Sequence, residues 1–316
     1  FIGAILMSFQ YFKNDFKYAA LAPVIYNFSI ILFGWLYSTS PESTVYGFAI
    51  GGLVGSIVGH VFLQLLGAKN NGLVFKILKP RLEHISQYIK VSLPLILGQS
   101  IAVVDEQLFR YFGSLLTTGS IASFRYARRV ALIPVGVFAQ AVGVASYPTL
   151  SNLFVNNKFE EFKLLIRKQL SALALINTGV LIIFLTNSEN IIEIIYQRGL
   201  FTSEDTDKVS SIFMVVAFGL IPWSLNQIIT RSYYVQKNYW FPVWVGTFIT
   251  FATIFILTIV RNPSGENYAM VIISSLWINT LVLSIFLKIR NKRLIDKFQL
   301  LDFLKILVVG LTTYFL

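Results

Sequence analysis

Residues 88–150 read YIKVSLPLILGQSIAVVDEQLFRYFGSLLTTGSIASFRYARRVALIPVGVFAQAVGVASYPTL, two long apolar runs joined by a Thr-Thr-Gly turn at 117–119. A membrane-spanning α-helix needs about 20 predominantly apolar residues, and each run is longer than that. The stretch therefore predicts an antiparallel pair of spanning helices, 88–116 and 121–150. This hairpin decides the fold class, because a water-soluble core could not cover so much apolar surface.

The composition of the whole chain agrees with a membrane protein. Of 316 residues, 55% are hydrophobic and 13% are charged, about half the charged fraction of soluble proteins. The lack of cysteine excludes disulfides and thiolate metal sites, and the two histidines are too few for a His-rich metal site. Basic cytoplasmic loops explain the formal net charge of +11. We expect no cofactor, no metal and no nucleic-acid partner.

Apolar windows on both sides of the hairpin predict an all-α, polytopic membrane helix bundle. The complete windows are 19–37, 45–67, 169–187, 206–230, 241–260 and 267–289, and the partial windows are 1–12 and 303–316. The chain opens inside an apolar run without an initiator Met. We therefore expect it to be an internal piece of a longer protein.

Lysine and arginine predict the orientation in the membrane. They concentrate in alternate connections, as cytoplasmic loops do, whereas the opposite connections carry only Arg198, Lys208 and Arg261. Two of the basic connections, 68–87 and 151–168, have apolar residues at helical spacing among the charges. This pattern predicts amphipathic helices at the membrane surface, with a solvated linker as the alternative for the second.

Small and turn-forming residues predict local geometry. Gly51, Gly55 and Gly59 form a stripe that lets a neighbouring helix come close. In the outer connection 188–205, Gly199 after a short apolar run predicts a helix end. Thr202 or Ser203 then predicts the N-cap of the next helix. Prolines inside the predicted spans indicate kinks at Pro23, Pro94, Pro134 and Pro222.

Ionisable residues concentrate inside the predicted hairpin, where charge is costly and marks a candidate functional site. They are Asp105, Glu106 and Arg110 on the first helix and Arg125, Arg128 and Arg129 on the second. At 1.5 Å per residue, Asp105 and Arg129 lie roughly 16 and 13 Å below the outer end, near the membrane midplane. Spacings of three and four residues put the three arginines of the second helix on one face.

The hairpin holds more arginines than carboxylates, a surplus of about two positive charges. A buried salt-bridge network that fixes helix register explains two of the arginines, but leaves the others unpaired where unpaired charge is expensive. A water-filled cavity that receives an anionic group explains all of them. The planar guanidinium suits the paired oxygens of a phosphate, so a pyrophosphate group would match the surplus. The charge balance favours the cavity.

Several motifs are recognisable as they stand. They are GSIASFRYARRVALIPVGVF at 119–138, GVASYPTLS at 143–151, LPLILGQS at 93–100 and the outer-loop sequence YQRGLF at 196–201. Together they resemble the MurJ (MviN-type) lipid II flippases, members of the multidrug/oligosaccharidyl-lipid/polysaccharide exporter superfamily. The resemblance extends over essentially the whole chain.

The resemblance implies a transporter of about fourteen helices, in which two six-helix lobes enclose a cationic cavity. This chain would hold about helices 4 to 13. Residues 1–67 would be the rear part of the first lobe, and 68–87 a cytoplasmic amphipathic linker. Residues 88–289 would form the second six-helix lobe. Residues 290–316 would be a cytoplasmic loop and the start of a C-terminal helix pair.

The resemblance also implies a function. Such a protein is no enzyme: it would move undecaprenyl-pyrophosphate-linked peptidoglycan precursor (lipid II) across the bacterial cytoplasmic membrane by alternating access, as a monomer among membrane lipids. The resemblance implies that Arg129 falls on a position where the family receives the pyrophosphate. We extend that role to Arg128, Arg125 and Arg110, with Asp105 and Glu106 as charge partners. Arg198, Gly199 and Phe201 would form a structural outer-loop motif.

Two features depart from the family pattern. Many members have Asp where this chain has Arg128, so the cavity here would be more basic. Some members resemble a sodium-coupled design, but this chain places Thr253 and Leu257 where Asn and Asp would sit. Leu257 cannot ligate sodium, so the pattern argues against a sodium site.

Other functions remain as alternatives. An exporter of O-antigen-type lipid-linked sugars would share the basic cavity, whereas an exporter of cationic drugs should present an acidic one. A polyprenyl-dependent membrane enzyme would need metal-binding acids or a catalytic base near the interface. The tight acidic pair Glu160-Glu161 lies in a basic amphipathic segment instead, and the chain has no P-loop.

Overall fold

The structure, a computed structural model, describes residues 2–74, 85–86, 88–98, 111, 119–259 and 264–290. For residues 288–290 it describes the backbone alone. All regular structure in these ranges is helical, which confirms the all-α prediction. Within the described residues, six helices are long and apolar enough to cross a membrane, and a bent helix pair makes a seventh if it is counted as one span.

The helices are numbered in chain order. The first group is α1 (Ile2–Phe12), α2 (Lys17–Leu36), α3 (Pro41–Asn70), α4 (Tyr88–Gly98) and α5 (Ser120–Val155). The second group is α6 (Phe159–Thr186), α7 (Ser188–Tyr196), α8 (Ser203–Ala217), α9 (Leu220–Val235), α10 (Trp240–Ile259) and α11 (Gly265–Arg290). The helices follow the predicted apolar windows, while window 303–316 and most of 99–116 lie outside the described residues.

Contacts divide the chain into two compact units, Phe1–Pro80 and Arg81–Leu316. In the first unit, α3 packs against α2 through its glycines. A Cβ atom added at Gly51 would lie 2.5 Å from the carbonyl oxygen of Ser29, and one at Gly59 would lie 2.9 Å from that of Ala22. Two helices can approach this closely only where side chains are missing, so the predicted packing stripe is confirmed.

A buried amide pair joins α1 to α3 in the same unit. Gln10 and Gln64 are fully buried, and Gln10 Nε2 donates to Gln64 Oε1 at 2.9 Å. Gln64 Nε2 in turn donates to the carbonyl oxygens of Tyr18 and Gly59, at 2.8 and 3.2 Å. Gly59 lies within a π-helical turn of α3, so the glutamine supplies a donor where the regular helical ladder is interrupted.

In the second unit, α9 is the central helix and packs against α5, α6 and α11. Tyr233 is almost fully buried, and its hydroxyl donates to the Leu283 carbonyl oxygen at 2.7 Å. The chain bends by 41° between α8 and α9, just before Pro222, where the sequence predicts a kink. The indole of Trp277 donates to the Phe218 carbonyl oxygen at this bend, at 3.0 Å.

The connection 151–168 does not form a separate surface helix, so that prediction is wrong. Its first residues continue α5, a tight turn follows with Asn157 at φ 58°, and the rest begins α6. Phe162 and Ile166 pack in the bundle core with exposed fractions of 0% and 4%. The amphipathic spacing therefore reflects burial against other helices, which gives the same periodicity as binding to a membrane surface.

Candidate anion-binding site

The arginine-bearing part of α5 begins after a left-handed turn at Gly119, where φ is 93°. One face of the helix packs in a core shared with α8 and α11. This buried face consists of Phe124, Ala127, Val130 and Ala131. Arg125 and Arg129 are exposed and lie away from that core, whereas Arg128 is half-buried at its edge. A periodicity of 3.6 residues separates the two faces.

A cavity of about 390 Å³ opens beside Arg128 within the second unit. Its only charged lining residue in the described part of the chain is Arg128, whose guanidinium carbon lies 5.9 Å from the centroid of the Trp223 ring. This distance is within the range of a cation–π contact. Hydroxyl and amide groups complete the polar lining: Thr230, Tyr234, Thr247, Thr250, Thr253, Ser275 and Asn279.

The three arginines of α5 make no ion pair with the described residues. The ion pairs found there join lysines to glutamates, as Lys208 does to Glu204 at 2.7 Å. The predicted partners Asp105 and Glu106, together with Arg110, lie outside the described residues. The described part thus brings Arg125, Arg128 and Arg129 together on one helix.

An aromatic clip, formed by Tyr126, Tyr196 and Phe201, holds the connection 188–205 against α5. The Tyr126 ring centroid lies 4.8 Å from that of Tyr196 and 5.7 Å from that of Phe201. The Tyr196 hydroxyl also donates to the Tyr126 carbonyl oxygen at 3.4 Å. Tyr126 lies between Arg125 and Arg128 in the sequence, so the aromatic clip fixes the helix that carries these arginines. Sequence reasoning missed this contact, since only tertiary folding brings position 126 to the loop.

The loop itself is shaped by the residues that its motif predicts. Arg198 Nη2 donates to the Ile195 carbonyl oxygen at 2.6 Å, at the end of α7. Gly199 has φ 64°, a conformation that favours glycine. Thr202 caps α8: its backbone N–H donates to the Asp205 carboxylate at 2.9 Å, and its hydroxyl accepts from the Asp205 N–H. The predicted cap at Thr202 is confirmed.

The two positions considered for sodium have other roles. The hydroxyls of Thr253 and Ser275 form a hydrogen bond of 2.6 Å, which joins α10 to α11. Leu257 is 4% exposed and belongs to the same core as Tyr268. An apolar side chain in this core offers no oxygen to a cation.

Comparison with known proteins places the chain in a family. A sequence model described as "Lipid II flippase MurJ" matches residues 1–315. The chain belongs to the MurJ family. A solved structure titled "Lipid II flippase MurJ, inward closed conformation" has a TM-score of 0.73 and 26% sequence identity to it, over 100% of this chain and 64% of that one. The MurJ fold therefore agrees with the helix bundle described above.

Curated relatives carry the name "Probable lipid II flippase MurJ". The protein of Treponema pallidum (strain Nichols) is 23% identical over 271 residues, 84% of this chain and 51% of the relative. That of Buchnera aphidicola subsp. Schizaphis graminum is 25% identical over 327 residues, 99% of this chain and 61% of the relative. The chain spans about half the length of the curated MurJ relatives it matches.

Proposed function

We propose that the protein carrying this chain is a lipid II flippase of peptidoglycan and cell-wall synthesis, acting in the bacterial cytoplasmic membrane. The family match over residues 1–315 carries this proposal. The protein is a transporter, as its relatives' names say of them, and it catalyses no covalent step. It works as a monomer by alternating access, in which two helical lobes expose one site to each side of the membrane in turn.

Arg125, Arg128 and Arg129 form the arginine face of α5, and this face receives the pyrophosphate of the lipid. Arg125 and Arg129 are exposed on this face. Arg129 lies near the predicted membrane midplane, where an arginine in lipid costs about 3 kcal/mol, so a water-filled cavity is the favourable environment. A guanidinium binds paired phosphate oxygens with two parallel hydrogen bonds. Arg128 is restrained by Trp223, which lowers the entropy lost when it binds an anion.

Asp105, Glu106 and Arg110 complete the charge balance of this site in the proposal. The two carboxylates oppose part of the positive charge, so the site releases the pyrophosphate as well as binding it. Transport needs both steps, because a site that binds too tightly holds its substrate.

Native mass spectrometry tests the proposal on the full-length protein with a mixture of lipid II, an O-antigen-type undecaprenyl-pyrophosphate sugar and phospholipids. We expect selective retention of lipid II, and its loss in Arg129→Ala. Arg167→Ala is the matched control, because Arg167 is an exposed arginine on a different helix, α6. Equal retention of both pyrophosphate lipids would indicate an exporter of broader lipid-linked sugars. Retention unaffected by Arg129→Ala would contradict the assigned site.

A further inference from the structure

A second arginine site lies on α9. The apolar window of the sequence ends at residue 230, but the helix continues to Val235 and includes Arg231, which is half-buried. Arg231 Nη1 donates to the backbone oxygen of Gln227 at 2.7 Å and to its Oε1 at 2.6 Å. These two bonds use both hydrogens of Nη1 and hold the guanidinium against its own helix.

Gly143 of α5 makes room for this guanidinium. A Cβ atom at Gly143 would lie 2.7 Å from Arg231 Nη1 and 2.9 Å from its Cζ. Even an alanine would therefore displace the guanidinium. The close approach places a cation on the backbone of α5, inside the bundle rather than in a solvated loop.

The remaining donors of Arg231 are uncommitted within the described ranges. Its Nε–H and the two Nη2–H groups have no hydrogen-bond acceptor there. Nε and Nη2 form the side of a guanidinium that binds two oxygens of one oxyanion. The phenols of Tyr147 and Tyr234 are near enough to Arg231 to interact with it electrostatically, and no described carboxylate does so. A half-buried cation that no carboxylate of the described residues neutralises favours an anionic ligand.

This site is separate from the arginine face of α5. Arg128 contacts Trp223, and Arg231 follows Trp223 by eight residues on α9. At 1.5 Å per residue this is roughly 12 Å along the helix, towards the end that the charge pattern assigns to the cytoplasm. Tyr234 faces both sites, because it also lines the cavity beside Arg128.

We propose that Arg231, Tyr147 and Tyr234 form a second oxyanion site that binds a phosphate group of the lipid substrate on the cytoplasmic side, before it reaches the arginine face. The guanidinium supplies the paired donors and the two phenols supply single hydroxyl donors. This role rests on the proposed function, since it assigns the site to the same lipid.

The test measures apparent dissociation constants of the full-length protein for lipid II, phosphatidylglycerol and diacylglycerol, which lacks phosphate. We expect Arg231→Gln to weaken lipid II binding at least tenfold and to leave diacylglycerol unchanged. Arg231→Lys should recover part of the affinity, because it restores charge but not the paired donors. Gly143→Ala should weaken lipid II binding while the charge stays.

Three outcomes decide whether Arg231 binds a phosphate group of lipid II. Weakened lipid II binding in Arg231→Gln, with phosphatidylglycerol little affected, supports the proposal. A loss confined to phosphatidylglycerol assigns the site to a bulk phospholipid and overturns it, as does no loss for either lipid. Tyr234→Phe removes only a hydroxyl and is expected to weaken lipid II binding several-fold. If Arg231→Gln does not fold, the affinity of Tyr234→Phe for lipid II tests the proposed site instead. Failure of the proposed function is recognised separately, in a native protein that does not retain lipid II.

Discussion

The glycine stripe of α3 and the arginine face of α5 bring helices together in opposite ways. At Gly51 the backbone of α3 meets the backbone of α2, and no charged group takes part. At Tyr126 aromatic side chains hold the neighbouring loop, and the nearby Arg125 and Arg129 stay exposed. The first contact fixes the fold, and the second leaves a charged surface available. A substitution in one should change folding, and a substitution in the other should change transport.

The largest effect is expected at Arg129. Arg129→Ala should lower lipid II transport by the full-length protein at least a hundredfold, because it removes a guanidinium from the proposed pyrophosphate site while leaving the buried face of α5 intact. A transport assay in vesicles measures the rate, and the thermal unfolding midpoint should match that of the native protein. Arg129→Lys should retain part of the rate. If transport survives both Arg129→Ala and Arg128→Ala, the arginine mechanism is wrong.

A substitution at Gly51 tests whether the glycine stripe of α3 is needed for folding. Gly51→Val should reduce the yield of folded protein several-fold, since its side chain would meet the backbone oxygen of Ser29, and overpacking costs roughly 1–3 kcal/mol. Size-exclusion chromatography of detergent-solubilised protein measures the yield. Gly179→Val is the control, because a Cβ at Gly179 meets nothing within 4 Å. Equal yields of the two variants would show that the stripe does not limit packing.

Phe201 is a packing residue that supports the arginine face, because it belongs to the aromatic clip on α5. Phe201→Ala should lower transport about threefold to tenfold, because the aromatic pairs it loses are worth about 1 kcal/mol each and hold the helix that carries the arginines. Leu200→Ala is the matched control, as Leu200 is 98% exposed in the same loop. A transport rate equally affected by both variants would indicate a general loop defect rather than a role for the clip.

The smallest effect is expected at Gly199, which shows a second use of glycine. It has open space around it, and its positive φ alone restricts substitution. Gly199→Val should lower folded yield modestly, by a strain of about 1–2 kcal/mol in the loop. Gly199→Asn should be better tolerated, because Asn adopts the left-handed region more readily. Identical yields of the Val and Asn variants would show that the loop relaxes around position 199.

Much of the fold follows from local signals. Hydropathy predicts the spans because burying the backbone in lipid requires whole helices. Gly199 and Thr202 predict the loop geometry because capping depends on neighbours within a few residues. The prediction of a surface helix at 151–168 is wrong, since an amphipathic face has the same period whether it meets lipid headgroups or other helices.

The candidate sites were only partly predictable for a related reason. Spacing alone places Arg125, Arg128 and Arg129 on one face, because they share a helix. Arg231 falls after an apolar window, so hydropathy assigns it to a loop, and nothing local reveals that Gly143 lies against it. The aromatic clip likewise depends on contacts between distant segments. Proximity across the bundle is a property of the fold, which no single helix encodes.

The hydrogen bond from Trp277 to the Phe218 carbonyl has a practical consequence. Indole emission responds to the polarity and hydrogen bonding of its surroundings, and here the indole is tied to the break between two helices of one span. A change in the 41° angle would alter this bond and with it the emission wavelength. In a variant that keeps Trp277 and replaces the other tryptophans with phenylalanine, intrinsic fluorescence would thus report the bend between α8 and α9 without an attached dye.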